Sequence, residues 1–280
     1  MTPQIHTTAR PGSVPGMQKV AVTGGSGTIA SSLRPRLFKE GRSLILLDIQ
    51  QPSIPVGENE TFVLAGLDEV NRMTEAFTGC GLVVHLGGIP TEASWEEILT
   101  VNIDGTRNVL EAARLAGVQR VLLASSIHVV GMYPTDAIRT DPVPAARPDG
   151  FYGVGKAAAE ALGSMYADRH GMSIVSLRIA NFAERPSNAR GLALWLSPDD
   201  CARAVESAFQ LGTPGHHTIW GVSANTRSPV NTSAGALIGF TPMDDAERFA
   251  DLIDSAPGAY DGHLGGAFLA PERPPGRRFA

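Results

Sequence analysis

At 280 residues, 43% hydrophobic and 18% charged, the chain can bury one large core, which excludes disorder as its main state. Its net charge of -5, with Lys and Arg scattered, offers no basic face to a run of phosphates, so nucleic acid is excluded as an expected partner. Cys80 and Cys201 lie far apart without His or Cys at ligand spacing; they support neither a disulfide scaffold nor a zinc site, and no metal is expected.

Residues 1–18 contain no apolar run of the length a secretion signal or membrane span needs. They are read as a flexible leader on a cytoplasmic protein without a membrane partner. From Lys19 short apolar runs alternate with Ala/Leu-rich segments of helical period, the pattern of parallel βαβ units. The first strand, Lys19 to Thr23, runs into Gly24-Gly25-Ser26-Gly27-Thr28-Ile29-Ala30 and a helix from Ile29 to Glu40. Gly24 suits a tight turn, Gly27 a close backbone approach to a pyrophosphate, and Ala30 close helix–strand packing. A glycine-rich loop with no ligand is the plain alternative. Asp48 ends the next strand, Ser43 to Asp48, where a carboxylate can accept from both adenosine ribose hydroxyls and repel a 2′-phosphate. That placement favours NAD over NADP; an ordinary strand-end turn residue is the competing reading.

A strand at Thr61 to Leu64, a helix at Val70 to Phe77, a strand at Leu82 to Leu86 and one long helix at Trp95 to Ala116 follow. Asn102 falls near the start of that helix, as a brace for the site's backbone or a group of the site itself. The strand Arg120 to Ser125 leads into Ser125-Ser126-Ile127-His128, and a strand-end cap suits Ser125 better than Ser126. The helix from Tyr152 to His170 opens Tyr152-Gly153-Val154-Gly155-Lys156, which sets a phenol and an ammonium on one helix face. A phenol titrates near pH ~10, too high for a base at neutral pH, but a fixed cation and a positive nicotinamide ring favour the phenolate. Ser126 is the expected partner of Tyr152 in holding a substrate oxygen; a solvated Tyr-Lys pair is the alternative. Beyond a strand at Ser173 to Arg178, a helix at Pro198 to Leu211 and a strand at Thr218 to Trp220 are expected in a small lobe over the sheet edge. The expected fold is thus α/β, a Rossmann-type doubly wound parallel sheet over residues 19–180. A small substrate-binding lobe, residues 181–270, is interleaved with it, and residues 271–280 form a loose tail.

Gly24, Gly27 and Ala30, Asp48, Asn102 with Gly105-Thr106, Ser126, Tyr152 and Lys156 occur in the order and spacing of the extended short-chain dehydrogenases, the epimerase/dehydratase branch. Within it the chain from Lys19 to Leu269 resembles the bacterial uronate dehydrogenases. That resemblance is carried by Val84-His85-Leu86-Gly87-Gly88-Ile89, Ala124-Ser125-Ser126 with His128, Arg147 to Val154, Trp195-Leu196-Ser197 with Asp199-Asp200, Trp220-Gly221 with Ser223-Ala224-Asn225, and Gly265 to Phe268. It implies oxidation of a hexuronate to an aldarolactone with NAD, with Ser126, Tyr152 and Lys156 catalytic. The cofactor residues it implies are Gly24, Ser26, Gly27, Thr28, Ile29, Asp48, Leu67, Leu86, Gly87, Gly88, Asn102, Tyr152 and Lys156. Those for the substrate are Ser126, Ile127, His128, Tyr152, Asn181, Phe268 and Arg190, whose guanidinium fork suits a carboxylate. A homo-oligomer joined through the two long helices is expected by analogy.

The chain departs from those enzymes at Pro90, Ile127 and Asn181-Phe182, where they carry polar groups, and Gly66-Leu67 with Asp68 replaces an adenine-contacting Asp. The first three departures are expected to alter hydrogen bonds to the sugar and hence substrate preference. Three other functions fit the same motifs: a dehydrogenase of another polar carboxylate or polyol, an epimerase or dehydratase on a nucleotide-linked sugar, which the short stretch after Ile179 disfavours, and an NAD-sensing binding protein.

Overall fold

A computed structural model describes residues 18–253 and 262–269; the expected leader, apart from Gln18, and the expected tail lie outside the described residues. The chain runs β1 (Lys19–Thr23), α1 (Thr28–Leu37), β2 (Ser43–Asp48), β3 (Glu60–Leu64), α2 (Val70–Phe77), β4 (Leu82–His85) and α3 (Trp95–Glu97). After a π-helical stretch, Ile98–Asp104, come α4 (Gly105–Leu115), β5 (Arg120–Ser126), a 3₁₀ turn (Ile127–Val130), α5 (Phe151–His170) and β6 (Ser173–Ile179). The remainder is β7 (Asn181–Phe182), α6 (Ala189–Leu194), β8 (Trp195–Leu196), α7 (Pro198–Gln210), β9 (Gly215–Gly221) and short 3₁₀ turns.

Seven strands form one sheet in the order β3-β2-β1-β4-β5-β6-β9, every neighbour parallel. Both faces are covered, which is why the inner strands read as apolar runs rather than alternations. Alternate residues of one strand supply opposite cores. Val20, Val22, Leu44 and Leu46 pack with Leu33 and Leu37 of α1 and Cys201 and Val205 of α7. Ala21, Ile45 and Leu47 pack with Phe77 of α2, Val109 of α4 and Tyr166 of α5. The chain winds outward from β1 to β3 and returns at β4, so the sheet's switch point opens beside the carboxyl ends of β1 and β4.

Three elements differ from the sequence reading. The first helix ends at Leu37, two residues after Pro35, and the chain turns at Gly41, whose φ is +76°. The helix expected as one piece from Trp95 is broken by π-helical hydrogen bonding around Asn102, an irregularity that pattern does not report. The residues beyond Ile179 divide between sheet and lobe: β9 is a full seventh strand registered on β6, and α7 flanks α1. The sequence shows only the apolar end of β9 because Gly215 to Thr218 are half-buried at the sheet's margin.

Polar side chains stitch the lobe to this frame. Asn225 Nδ2 donates to Trp195 O (2.8 Å) and its Oδ1 accepts from Ala246 N (3.1 Å). Asp200, fully buried, accepts from Met243 N and Asp244 N at 2.8 and 3.0 Å, and Ser223 Oγ accepts from Ser197 N at 2.9 Å.

Candidate active site

At the switch point Gly24 takes φ +68°, and a Cβ there would lie 2.7 Å from Gly87 N, so the loop after β1 meets the loop after β4 only because the side chain is missing. Gly25, singled out by no motif position, needs the same freedom: its Cβ would lie 2.8 Å from Leu46 Cβ. Gly27 caps α1 without a side-chain hydrogen bond, leaving the first-turn amides at an exposed helix start, which suits a pyrophosphate. Asp48 accepts from Ser26 N (3.0 Å) and Gln50 N (3.2 Å), which ties its carboxylate to the rim of this loop. A carboxylate offers about four acceptor positions, so capacity remains for ribose hydroxyls. Leu67 abuts Gly105, where a Cβ would lie 2.9 Å from Leu67 Cδ1, and its carbonyl accepts from Asn108 Nδ2 at 2.9 Å. These residues fit a dinucleotide.

Asn102 gives both ends of its amide to Ile89, accepting from its N at 2.8 Å and donating to its O at 3.0 Å. That is the bracing arrangement, and it fixes Gly88, whose φ is +148°. Beneath it His85 joins Thr23 Oγ1 (2.7 Å) to Thr106 Oγ1 (3.1 Å); burial and the nearby Lys156 depress its pKa to about 3.

Tyr152 is buried on the first turn of α5, and the Ser126 hydroxyl near it partly offsets the rise in its pKa. Ser126 Oγ also accepts from His128 N at 3.2 Å and so caps the 3₁₀ turn, while Ser125 points the other way, donating to Glu160 at 2.5 Å. The capping role expected of Ser125 therefore belongs to Ser126. Glu160 in turn holds Arg178 by two bonds of 2.9 and 2.8 Å, a buried pair fixing α5 against β6. Lys156 Nζ donates to Ala124 O (2.8 Å) and stands 5.7 Å from the Tyr152 ring centre. Burial raises the Tyr152 pKa and lowers that of Lys156 to about 8. Desolvation thus outweighs the lowering effect of Ser126, the Asp149 charge adds to the rise, and a positive charge beside the phenol would favour the phenolate.

His128 lies against Tyr152, ring centres 5.7 Å apart, and stacks on Phe268 at 3.7 Å; Phe268 is 6.1 Å from Tyr152. Arg190 opens α6 and donates to Leu264 O (2.7 Å) in the segment that carries Phe268. Asn181 pairs with Trp195 on the short β7–β8 sheet, its Nδ2 3.1 Å from where a Cβ on Gly191 would sit. Ser126, Tyr152, His128 and Phe268 thus meet, with Arg190 one segment away. Ile127 does not join them: its side chain is 0% exposed in an apolar cluster with Val129, Leu194 and Trp220. The side chain of Ile127, a residue expected to contact substrate, is thus held in the apolar packing behind the turn after β5. Phe182, partly buried, packs on the main core.

The model of the NAD dependent epimerase/dehydratase family matches residues 20–191. The chain belongs to this family. Among epimerase/dehydratase relatives, uronate dehydrogenase of Pseudomonas syringae pv. tomato is 35% identical over 273 residues, covering 95% of this chain and 96% of that protein. Uronate dehydrogenase of Agrobacterium fabrum is 39% identical over 233 residues, covering 83% and 87%. A mutant uronate dehydrogenase from Agrobacterium tumefaciens complexed with NAD superposes with a TM-score of 0.83 at 37% identity, covering 90% and 97%.

Two parts of this epimerase/dehydratase site escaped the sequence reading. Glu92 caps α5, accepting from Phe151 N (2.9 Å) and Tyr152 N (3.0 Å) across some 60 residues of sequence. A carboxylate at a helix start has favourable electrostatics, but no local motif reveals a cap delivered from so far away. Asp149 was visible only as part of a matching stretch; its Oδ2 is hydrogen-bonded with His128 Nδ1 at 2.7 Å.

Proposed function

We propose that this protein oxidises the anomeric carbon of a free hexuronate to the aldarolactone, with Tyr152 as general base. NAD, when bound, supplies the hydride acceptor. Ser126 holds the substrate oxygen, Tyr152 takes its proton, and Lys156 fixes the geometry beside them and favours the phenolate. Arg190 pairs the uronate carboxylate: a guanidinium has five donors, enough for Leu264 O and for a carboxylate. The observation that carries this reading is that the segment anchored by Arg190 is the one that lays Phe268 beside His128 and Tyr152, so carboxylate recognition and chemistry share one wall. Relatives named uronate dehydrogenase at 35% and 39% identity support it.

Purified protein is expected to reduce NAD with glucuronate and galacturonate, and to do so faster than with NADP or with the matching neutral hexoses. Neutral hexoses oxidised as fast as uronates would overturn the substrate assignment. We place the protein in the cytoplasm as a homo-oligomer. Both cysteines are free, and among the described residues no helix is long and apolar enough to cross a membrane. Trp95, Leu99, Phe151 and Met165 expose apolar surface along the two long helical segments, with Trp95 and Phe151 in edge contact at 5.6 Å. Light scattering that gives a monomer mass at micromolar concentration would contradict the oligomer.

A further inference from the structure

We propose that Asp149 is a positioning residue which fixes the His128 imidazole so that its Nε2 accepts a hydrogen bond from a hydroxyl of the substrate. The inference rests on the sugar-acid reading above and adds to it how one wall of the cleft acquires its hydrogen-bonding polarity.

Asp149 Oδ2 lies 2.7 Å from His128 Nδ1. An ionised carboxylate only accepts, so Nδ1 carries the proton, and a neutral ring held this way presents Nε2 as an acceptor. One face of the imidazole is covered by Phe268 at 3.7 Å, and Tyr152 meets it edgewise at 5.7 Å. No group among the described residues bonds Nε2, and that atom is not enclosed. It is therefore the polar edge of His128 left for a ligand beside the Tyr152 phenol.

How Asp149 is seated argues against a merely structural role. Its side chain is fully enclosed, and Oδ1 has no hydrogen-bond partner among the described residues. Burying a carboxylate with one oxygen unmet destabilises the fold, so such a group calls for a reason. Two chain segments are shaped to admit it all the same. A Cβ on Gly131 would fall 1.9 Å from Asp149 Oδ2, and a Cβ on Gly265 would fall 2.1 Å from it. Gly265 N donates to Gly131 O at 2.9 Å, which closes that slot and brings Phe268, three residues on, over the imidazole.

Asp149→Asn is nearly isosteric but can donate to Nδ1, which moves the ring proton to Nε2 and turns the outward nitrogen from acceptor to donor. ¹⁵N NMR of the histidine side chains, on the full chain without substrate, reads this directly. The wild-type His128 is expected protonated on Nδ1 and the Asp149→Asn ring on Nε2. With glucuronate, the variant's KM is expected to rise at least about tenfold, one lost or inverted hydrogen bond, while the KM for NAD stays put. In a His128→Gln background, which has no tautomer to set, Asp149→Asn is expected to leave the glucuronate KM unchanged. A wild-type ring protonated on Nε2, or a reversed tautomer with an unchanged glucuronate KM, overturns the proposal. If Asp149→Asn does not fold, the wild-type spectrum decides the tautomer alone. A wild type inactive on every uronate contradicts the substrate assignment and the hydroxyl contact built on it, while the spectrum still reports whether Asp149 sets the ring.

Discussion

Tyr152 and Lys156 are neighbours on one helix face, yet the lysine's ammonium is committed to Ala124 O and burial dominates both groups. The phenol, its pKa raised, stays protonated at neutral pH until a further positive charge arrives. Oxidation needs the phenolate, so the turnover rate is expected to climb with pH through the neutral range. Lys156 is pushed down to about 8, so its charge is available on the acidic side of that value. Lys156→Met is expected to move the rising limb to higher pH; a pH–rate profile with an unmoved limb would remove Lys156 from the ionisation. Tyr152→Phe is expected to lower kcat about a thousandfold while NAD binding, followed by fluorescence titration, is retained. Much of this was legible at single residues: a phenol and an ammonium four apart, and a hydroxyl at a strand end, have few better uses together. The direction of the Ser125 and Ser126 side chains was not, because it depends on a 3₁₀ turn that composition does not mark.

Elements carry a second layer of the account. The start of α5 has Gly150 as its N-cap and no local side chain to satisfy its amides, so Glu92 does the work. Glu92→Ala is expected to cost about 1 kcal/mol of stability, measured by urea unfolding, and to lower kcat with it, since the same bond holds Tyr152 N. An unchanged unfolding midpoint would show the cap to be dispensable. Beneath β1 and β4, His85 has a folded-state pKa of about 3 against 6.5 for the unfolded chain. Between these values the unfolded state binds a proton that the folded state refuses. This contribution is full above pH 6.5 and is lost as pH falls toward 3. Urea midpoints across that window should therefore fall for the wild type and fall less for His85→Gln. Strand and helix identities followed from apolar runs and helical period. The π-helical stretch and the long-range caps did not, because both depend on partners distant in sequence, such as Gly155, which must lack a Cβ to admit Ile98.

Across the whole molecule, function follows from where the sheet reverses. The glycine loop after β1, the brace at Ile89 and the hydroxyl of Ser126 all lie at carboxyl ends of neighbouring strands, so one crevice can hold both a dinucleotide and a small acid. The segments beyond β6 owe their placement to Asn225 and Asp200 as much as to apolar packing. The membership of β9 in the central sheet was the least readable part of the fold, since Gly215 to Thr218 are only half-buried at its edge. The central claim is that Arg190 selects a carboxylate for a Tyr152-centred oxidation. It is tested most directly by the ratio of kcat/KM for glucuronate to that for glucose, with NAD, in the wild type and in Arg190→Leu. The account predicts a ratio well above one that collapses about a hundredfold in the variant, the loss of roughly 3 kcal/mol of paired charge, with glucose turnover little changed. A ratio that survives the loss of Arg190 would contradict it.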